Sequence, residues 1–81
     1  MKTHVLKSWP AFFKGMESGE KTFEIRRNDR DFKVGDRLCI REYFPTTARY
    51  SGKELMFKVT YVTDFMQKEG NVVMGVTRIQ P

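Results

Sequence analysis

The chain is short of the residue types from which many reactive sites are assembled. One cysteine in 81 residues, Cys39, excludes an intramolecular disulfide. Its neighbours Leu38 and Ile40 set it in an apolar strand, where burial raises a thiol pKa and no base stands beside it. It is therefore read as an unreactive thiol in a reducing compartment. One histidine, His4, leaves neither a His-based metal site nor a Ser-His-Asp triad in its usual form, so His4 is read as structural. Gly15 and Gly19 frame no phosphate-cradling loop, and no metal or cofactor is expected. No apolar run approaches the roughly 18 residues that cross a bilayer, and Met1-Lys2-Thr3-His4-Val5 opens no targeting segment. A cytoplasmic location without a membrane partner is the expectation.

What the chain has is rings and positive charge. Seven Phe, three Tyr and one Trp supply a core rich in large side chains, and 81 residues make one domain spanning 1–81. Fifteen Lys and Arg against ten Asp and Glu give a net charge of +5, which favours an anionic partner, nucleic acid first.

Periodicity orders the elements. Residues 4–8 read as a short strand; Ser8 before Trp9-Pro10 offers a capping side chain and a proline suited to a first helical turn near residue 10. Phe12, Phe13 and Met16 form one apolar stripe, and Gly19 is placed to end the helix in a left-handed conformation. Gly15 inside this helix costs about 1 kcal/mol relative to Ala. A strand over 21–27 follows, then a polar connector closed by Gly35-Asp36, a strand over 37–44 and a breaker region from Pro45 to Gly52. In the long alternating run after it, Leu55, Phe57, Val59 and Tyr61 share a face; Val72 to Ile79 supplies the last strand. About five strands and one helix, without later crossover helices, predict a mainly β (α+β) fold: a small barrel carrying an N-terminal helix.

The most informative stretch is Gly19 to Arg30. Alternation sends Phe23 and Ile25 to a core face and Thr22, Glu24 and Arg26 to a polar one, so one segment serves a core and a site. Lys21 and Glu24 differ by an odd number and converge only if Lys21 precedes the pleat, leaving from the turn after Gly19. Lys21 offers a compact charge to phosphate, Arg26 a fork for two oxygens or a plane for a base. Glu24 either holds one of these cations, accepts from a base amino group or moves a proton. Arg27 and Arg30 extend the positive charge into the connector.

Gly19-Glu20-Lys21 followed by Glu24 and Arg26 resembles the ASCH domains, a branch of the PUA-like fold with a glycine, lysine and arginine signature after the first helix. The likeness extends through Asn28-Asp29-Arg30, Val34-Gly35-Asp36, Tyr50-Ser51-Gly52 and Val72-Val73-Met74 to a bacterial and phage family of ASCH-like proteins of unassigned function. The resemblance implies a PUA-like pseudo-barrel and an RNA-binding or nucleotide-binding module, with a cleft between helix and barrel. Lys21, Glu24, Arg26, Arg27 and Arg30 would bind the ligand.

Two other classes remain open. Certain small ASCH proteins are amidohydrolases on acetylated cytidine that use a lysine, a threonine and a glutamate. The lysine matches at Lys21, but Glu24 stands where those enzymes carry the threonine, and Thr22 is the nearest hydroxyl; a catalytic set here would be Lys21, Glu24 and Thr22, with Glu69 a distant second carboxylate. A protein-interaction adaptor is the third reading, with Tyr43, Phe44 and Tyr50 around the Pro45 loop as contact or stacking faces.

Overall fold

The computed structural model describes residues 1–79. Strand β1 (Thr3–Ser8) leads into helix α1 (Pro10–Ser18), followed by β2 (Phe23–Arg27), β3 (Arg37–Phe44), β4 (Arg49–Thr63) and β5 (Asn71–Arg78). The five strands form one curled sheet, a half-barrel, in the order β1-β3-β4-β5-β2. β1 runs parallel to β3 and every other pairing is antiparallel. The mainly β architecture with one short helix is thus as the periodicity predicts.

The inner face of the sheet, closed by α1, holds the core. Leu6 from β1, Leu38 and Ile40 from β3, Leu55, Phe57 and Val59 from β4 and Val72, Met74 and Val76 from β5 meet Phe13 and Met16 of the helix. Alternation produces this directly: β1 and β5 bury every second residue. Gly19 ends α1 in the left-handed conformation at φ 88°, its N–H donating to the Met16 carbonyl.

Four expectations need correction. The helix N-cap is Trp9 and makes no side-chain capping bond, so Ser8 does not cap; it ends β1 and is buried. Phe12 leaves the apolar stripe and stands half exposed, because only Phe13 and Met16 face the sheet. Strand β4 begins at Arg49, inside the expected breaker region, where Tyr43 and Tyr50 pair across the hairpin with ring centroids 4.9 Å apart. Tyr61 is exposed although Leu55, Phe57 and Val59 are buried. A register shift between Val59 and Tyr61 breaks the alternation, and Val62 packs on the core instead.

The ends of the sheet order, β1 and β2, are unpaired edges, and side chains join them. Arg26 Nη2 donates to the Lys7 carbonyl at 2.6 Å, and Arg30 Nη1 to the Val5 carbonyl at 2.7 Å. Two guanidinium groups from the β2 side thus occupy carbonyls two residues apart along β1, satisfying edge acceptors that would otherwise invite another strand.

At the far end of the inner face, His4 Nε2 and Asp36 Oδ2 lie 2.8 Å apart, both buried. Asp36 also accepts from the backbone N–H groups of Lys2 and Lys33. The hydrogen bond from His4, aided by these backbone donors, holds the Asp36 carboxyl below its ordinary value against the opposing effect of burial. The His4 side chain thereby ties β1 to the turn before β3.

Candidate functional site

The seam between β1 and β2 opens beside the start of α1 into a cleft of about 390 Å³. Ser8 and Trp9 border it from the β1–α1 junction, Phe12 from the helix, and Lys21 with Phe23 to Arg26 from β2. The volume lies within the range of small-molecule sites.

Lys21 precedes β2, as convergence with Glu24 requires. Its backbone N–H donates to the Gly15 carbonyl at 2.9 Å, holding the turn against the helix. Gly15 gives the turn room, since a Cβ at that position would stand 3.1 Å from the Lys21 Cβ and push it aside by a few tenths of an ångström. The weak helix former inside α1 thus makes room for the lysine stem.

Glu24 is the centre of the cluster, with only 4% of its surface exposed. Lys21 Nζ donates to its Oε1 and Arg26 Nε to its Oε2, each at 2.8 Å. Lys21 Nζ donates also to the Phe23 carbonyl at 2.8 Å and sits 4.8 Å from the Phe23 ring centroid and 5.9 Å from that of Phe12. Both oxygens of one buried carboxylate are therefore matched to cations, which offsets the cost of removing the charge from water.

This arrangement reverses the two faces expected of β2. Glu24 points into the half-barrel, while Phe23 and Ile25, expected in the core, are 42% and 50% exposed. The reason is topological: β2 is an edge strand at the open seam, where the interior is capped by an ion-paired cluster and the apolar residues form cleft wall.

The cluster keeps capacity for a ligand. An ammonium has three N–H donors and a guanidinium five. Lys21 commits two, to Phe23 and Glu24, and Arg26 commits two, to Glu24 and Lys7. One donor on Lys21 and three on Arg26 remain, beside an aromatic wall. Trp9 and Phe12 stack with centroids 6.3 Å apart and planes 18° from parallel, and both are about half exposed. The cleft joins ring faces to surplus donors and a net positive charge, a combination suited to a planar group carrying carbonyl or phosphate oxygens.

The other candidates fall elsewhere. Thr22 lines a second pocket of about 250 Å³ between the end of α1 and β5, which Lys21 also borders. Arg27 is exposed and does not line the cleft, while Arg30 closes the seam. Glu69 is exposed in the turn before β5. The hydroxyl beside the cluster is that of Ser8, which the sequence offered only as a cap. Burial raises the Cys39 thiol, against a weaker lowering by Arg41, in keeping with an inert cysteine. Among the described residues no group of His, Cys, Asp and Glu is placed to hold a metal, and no helix is long and apolar enough to cross a membrane.

A family model, that of a domain of unknown function designated DUF3850, matches residues 3–76, nearly the whole chain. The chain belongs to the DUF3850 family. The match runs from the start of β1 into β5, so every strand and the helix around the cleft fall inside the DUF3850 domain. No curated protein matches the chain.

Proposed function

We propose that the cleft binds one nucleotide unit, of single-stranded RNA or of a free nucleotide-like ligand, and that the domain is a binding module. The observation carrying this reading is the pairing of unspent Lys21 and Arg26 donors with the half-exposed Trp9 and Phe12 rings at one opening. Rings supply sequence-tolerant stacking to a base, and the cations take phosphate or carbonyl oxygens. The net charge of +5 favours approach of an anionic chain. The likeness of Gly19-Glu20-Lys21, Glu24 and Arg26 to the ASCH signature supports the same reading, since PUA-like domains mostly bind RNA. In this account Glu24 is a brace: it fixes both cations at a common height and spends its own oxygens on them.

The amidohydrolase alternative would need Thr22 to act from a pocket that it shares with Lys21 but not with Glu24. The test is anisotropy of a fluorescein-labelled single-stranded RNA titrated with wild type and with Lys21→Ala/Glu24→Gln at two salt concentrations. Removing both charges together strands no carboxylate. The reading expects about micromolar binding, a log–log salt slope of about −1 to −2 for the two cations, and loss of binding in the variant. Binding of equal strength in the variant contradicts it.

A further inference from the structure

The outer face of the sheet carries charge that the cleft does not use. Helix α1 packs on the inner face, and alternation turns Lys7 of β1, Arg37 and Arg41 of β3 and Glu54 and Lys58 of β4 outward, where all five are exposed. Register sets them in two rows. Arg37 stands directly opposite Lys58, and Arg41 lies between Lys7 and Glu54. Four residues along the strands separate the rows by about 13 Å. Glu54 is the one acid of these rows, its Oε1 3.4 Å from Arg41 Nε. Lys7, Arg37 and Lys58 make no ion pair with another described residue. Like charges directly opposite across two strands destabilise a sheet, so the Arg37–Lys58 pair gains when an anion bridges it.

Rings border this charge. Tyr43 shares the outer face, since Lys7 Nζ lies 4.5 Å from its ring centroid, and Tyr50 packs edge-on against it across the hairpin at 4.9 Å. Tyr50 is 55% exposed, which leaves its ring open to a stacking partner. Lys7 also borders the cleft. It therefore belongs to both surfaces, with the Trp9 and Phe12 rings on one side of it and Tyr43, Tyr50 and Arg41 on the other.

We propose that the outer face of β1, β3 and β4 carries the nucleotides next to the one in the cleft, so that a single RNA strand runs from the cleft past Lys7 and across the sheet. The inference rests on the nucleotide reading of the cleft and deepens it: the partner is an extended single strand and not a free mononucleotide. Cations spread over the face meet successive phosphates whatever the sequence, and Tyr50 stacks on a base. A duplex suits the face less well, because its bases are stacked on one another and leave the tyrosine ring unused.

The test is anisotropy of fluorescein-labelled oligouridylates of three and of ten nucleotides, each at two salt concentrations. Wild type binds the ten-nucleotide strand at least about tenfold more tightly, with a log–log salt slope steeper by about 2 to 3, as three or four further phosphate contacts require. Arg37→Gln/Lys58→Gln weakens the ten-nucleotide complex at least about fivefold, lowers its slope by about 1 and leaves the three-nucleotide complex within about twofold. Its melting temperature is the same or higher, since a like-charge pair is removed, so the weaker binding is not a loss of fold. Tyr50→Ala weakens the longer complex several-fold. Equal affinities for the two lengths in wild type, or a ten-nucleotide affinity unchanged in Arg37→Gln/Lys58→Gln, overturn the path across the sheet and leave the cleft reading standing. Ten-nucleotide binding that survives Lys21→Ala/Glu24→Gln but not Arg37→Gln/Lys58→Gln overturns the cleft reading instead and keeps the outer face as the RNA surface. Polyglutamate that displaces the strand as well as unlabelled RNA of equal charge does overturns the RNA assignment of the face.

Discussion

Lys21 Nζ and Glu24 Oε1 meet at 2.8 Å although the residues are three apart, a spacing that regular strand alternation places on opposite faces. The contact exists because Lys21 lies before the first strand residue, Phe23, and leaves from the turn that Gly19 opens. From there the lysine reaches the carboxylate over the Phe23 ring.

The brace account gives a first prediction. Glu24 is buried and relies on two cations, so Lys21→Met leaves half of the carboxylate unmatched and destabilises the fold by about 1–3 kcal/mol. Adding Glu24→Gln recovers part of that loss, because a neutral amide costs less to bury. Urea unfolding of the two single variants and the double variant measures the coupling.

The seam gives a second. Arg26 and Arg30 close the β1 edge through the carbonyls of Lys7 and Val5. Arg30→Ala frees the Val5 carbonyl, costs about 1 kcal/mol and speeds hydrogen exchange in β1 more than in β4. Arg26→Lys does more harm than its conserved charge suggests, since one ammonium cannot hold both Glu24 and Lys7 in the geometry of the fork.

Gly15 is a third point of leverage. Gly15→Ala adds helix propensity of about 1 kcal/mol but drives a methyl to 3.1 Å from the Lys21 Cβ. The expected outcome is a melting temperature within a few degrees of wild type together with RNA binding reduced several-fold. Binding that is unchanged would show that the lysine seat tolerates displacement.

Asp36 sets the acid limb of stability. Its folded pKa lies below the ordinary aspartate value of about 3.9, so between the two the unfolded chain binds more protons and stability falls as pH falls. The contribution is fully present above the unfolded value and is lost below about pH 4. Asp36→Asn is therefore less stable than wild type at pH 7, and the difference narrows as pH drops toward 3, as urea midpoints at a series of pH values would show.

The elements were legible where local chemistry decides them. Pro10 and Gly19 bound the helix, Gly35-Asp36 precedes β3, and alternating apolar residues mark β3 and β5. What the pattern hid depends on the sheet order. An apolar residue at an edge strand and one in a central strand look alike along the chain, so Phe23 and Ile25 read as core and Glu24 as surface. Tyr61 read as inward because a register shift leaves no local trace, and Ser8 resembled a cap because a capping serine and a strand-ending serine share the same neighbours. Lys21, Glu24 and Arg26 were visible as a group by proximity alone. Their cleft required the half-barrel to bring β1 and β2 together beside α1.

Trp9 is the sole tryptophan and borders the cleft, so its emission reports on the site alone. The most direct test is titration of the protein with a short single-stranded RNA at low and at moderate salt while Trp9 fluorescence is followed. The account predicts saturable quenching that weakens as salt rises and is absent in Lys21→Ala/Glu24→Gln. Emission that stays unchanged at low salt up to high RNA concentration would contradict it.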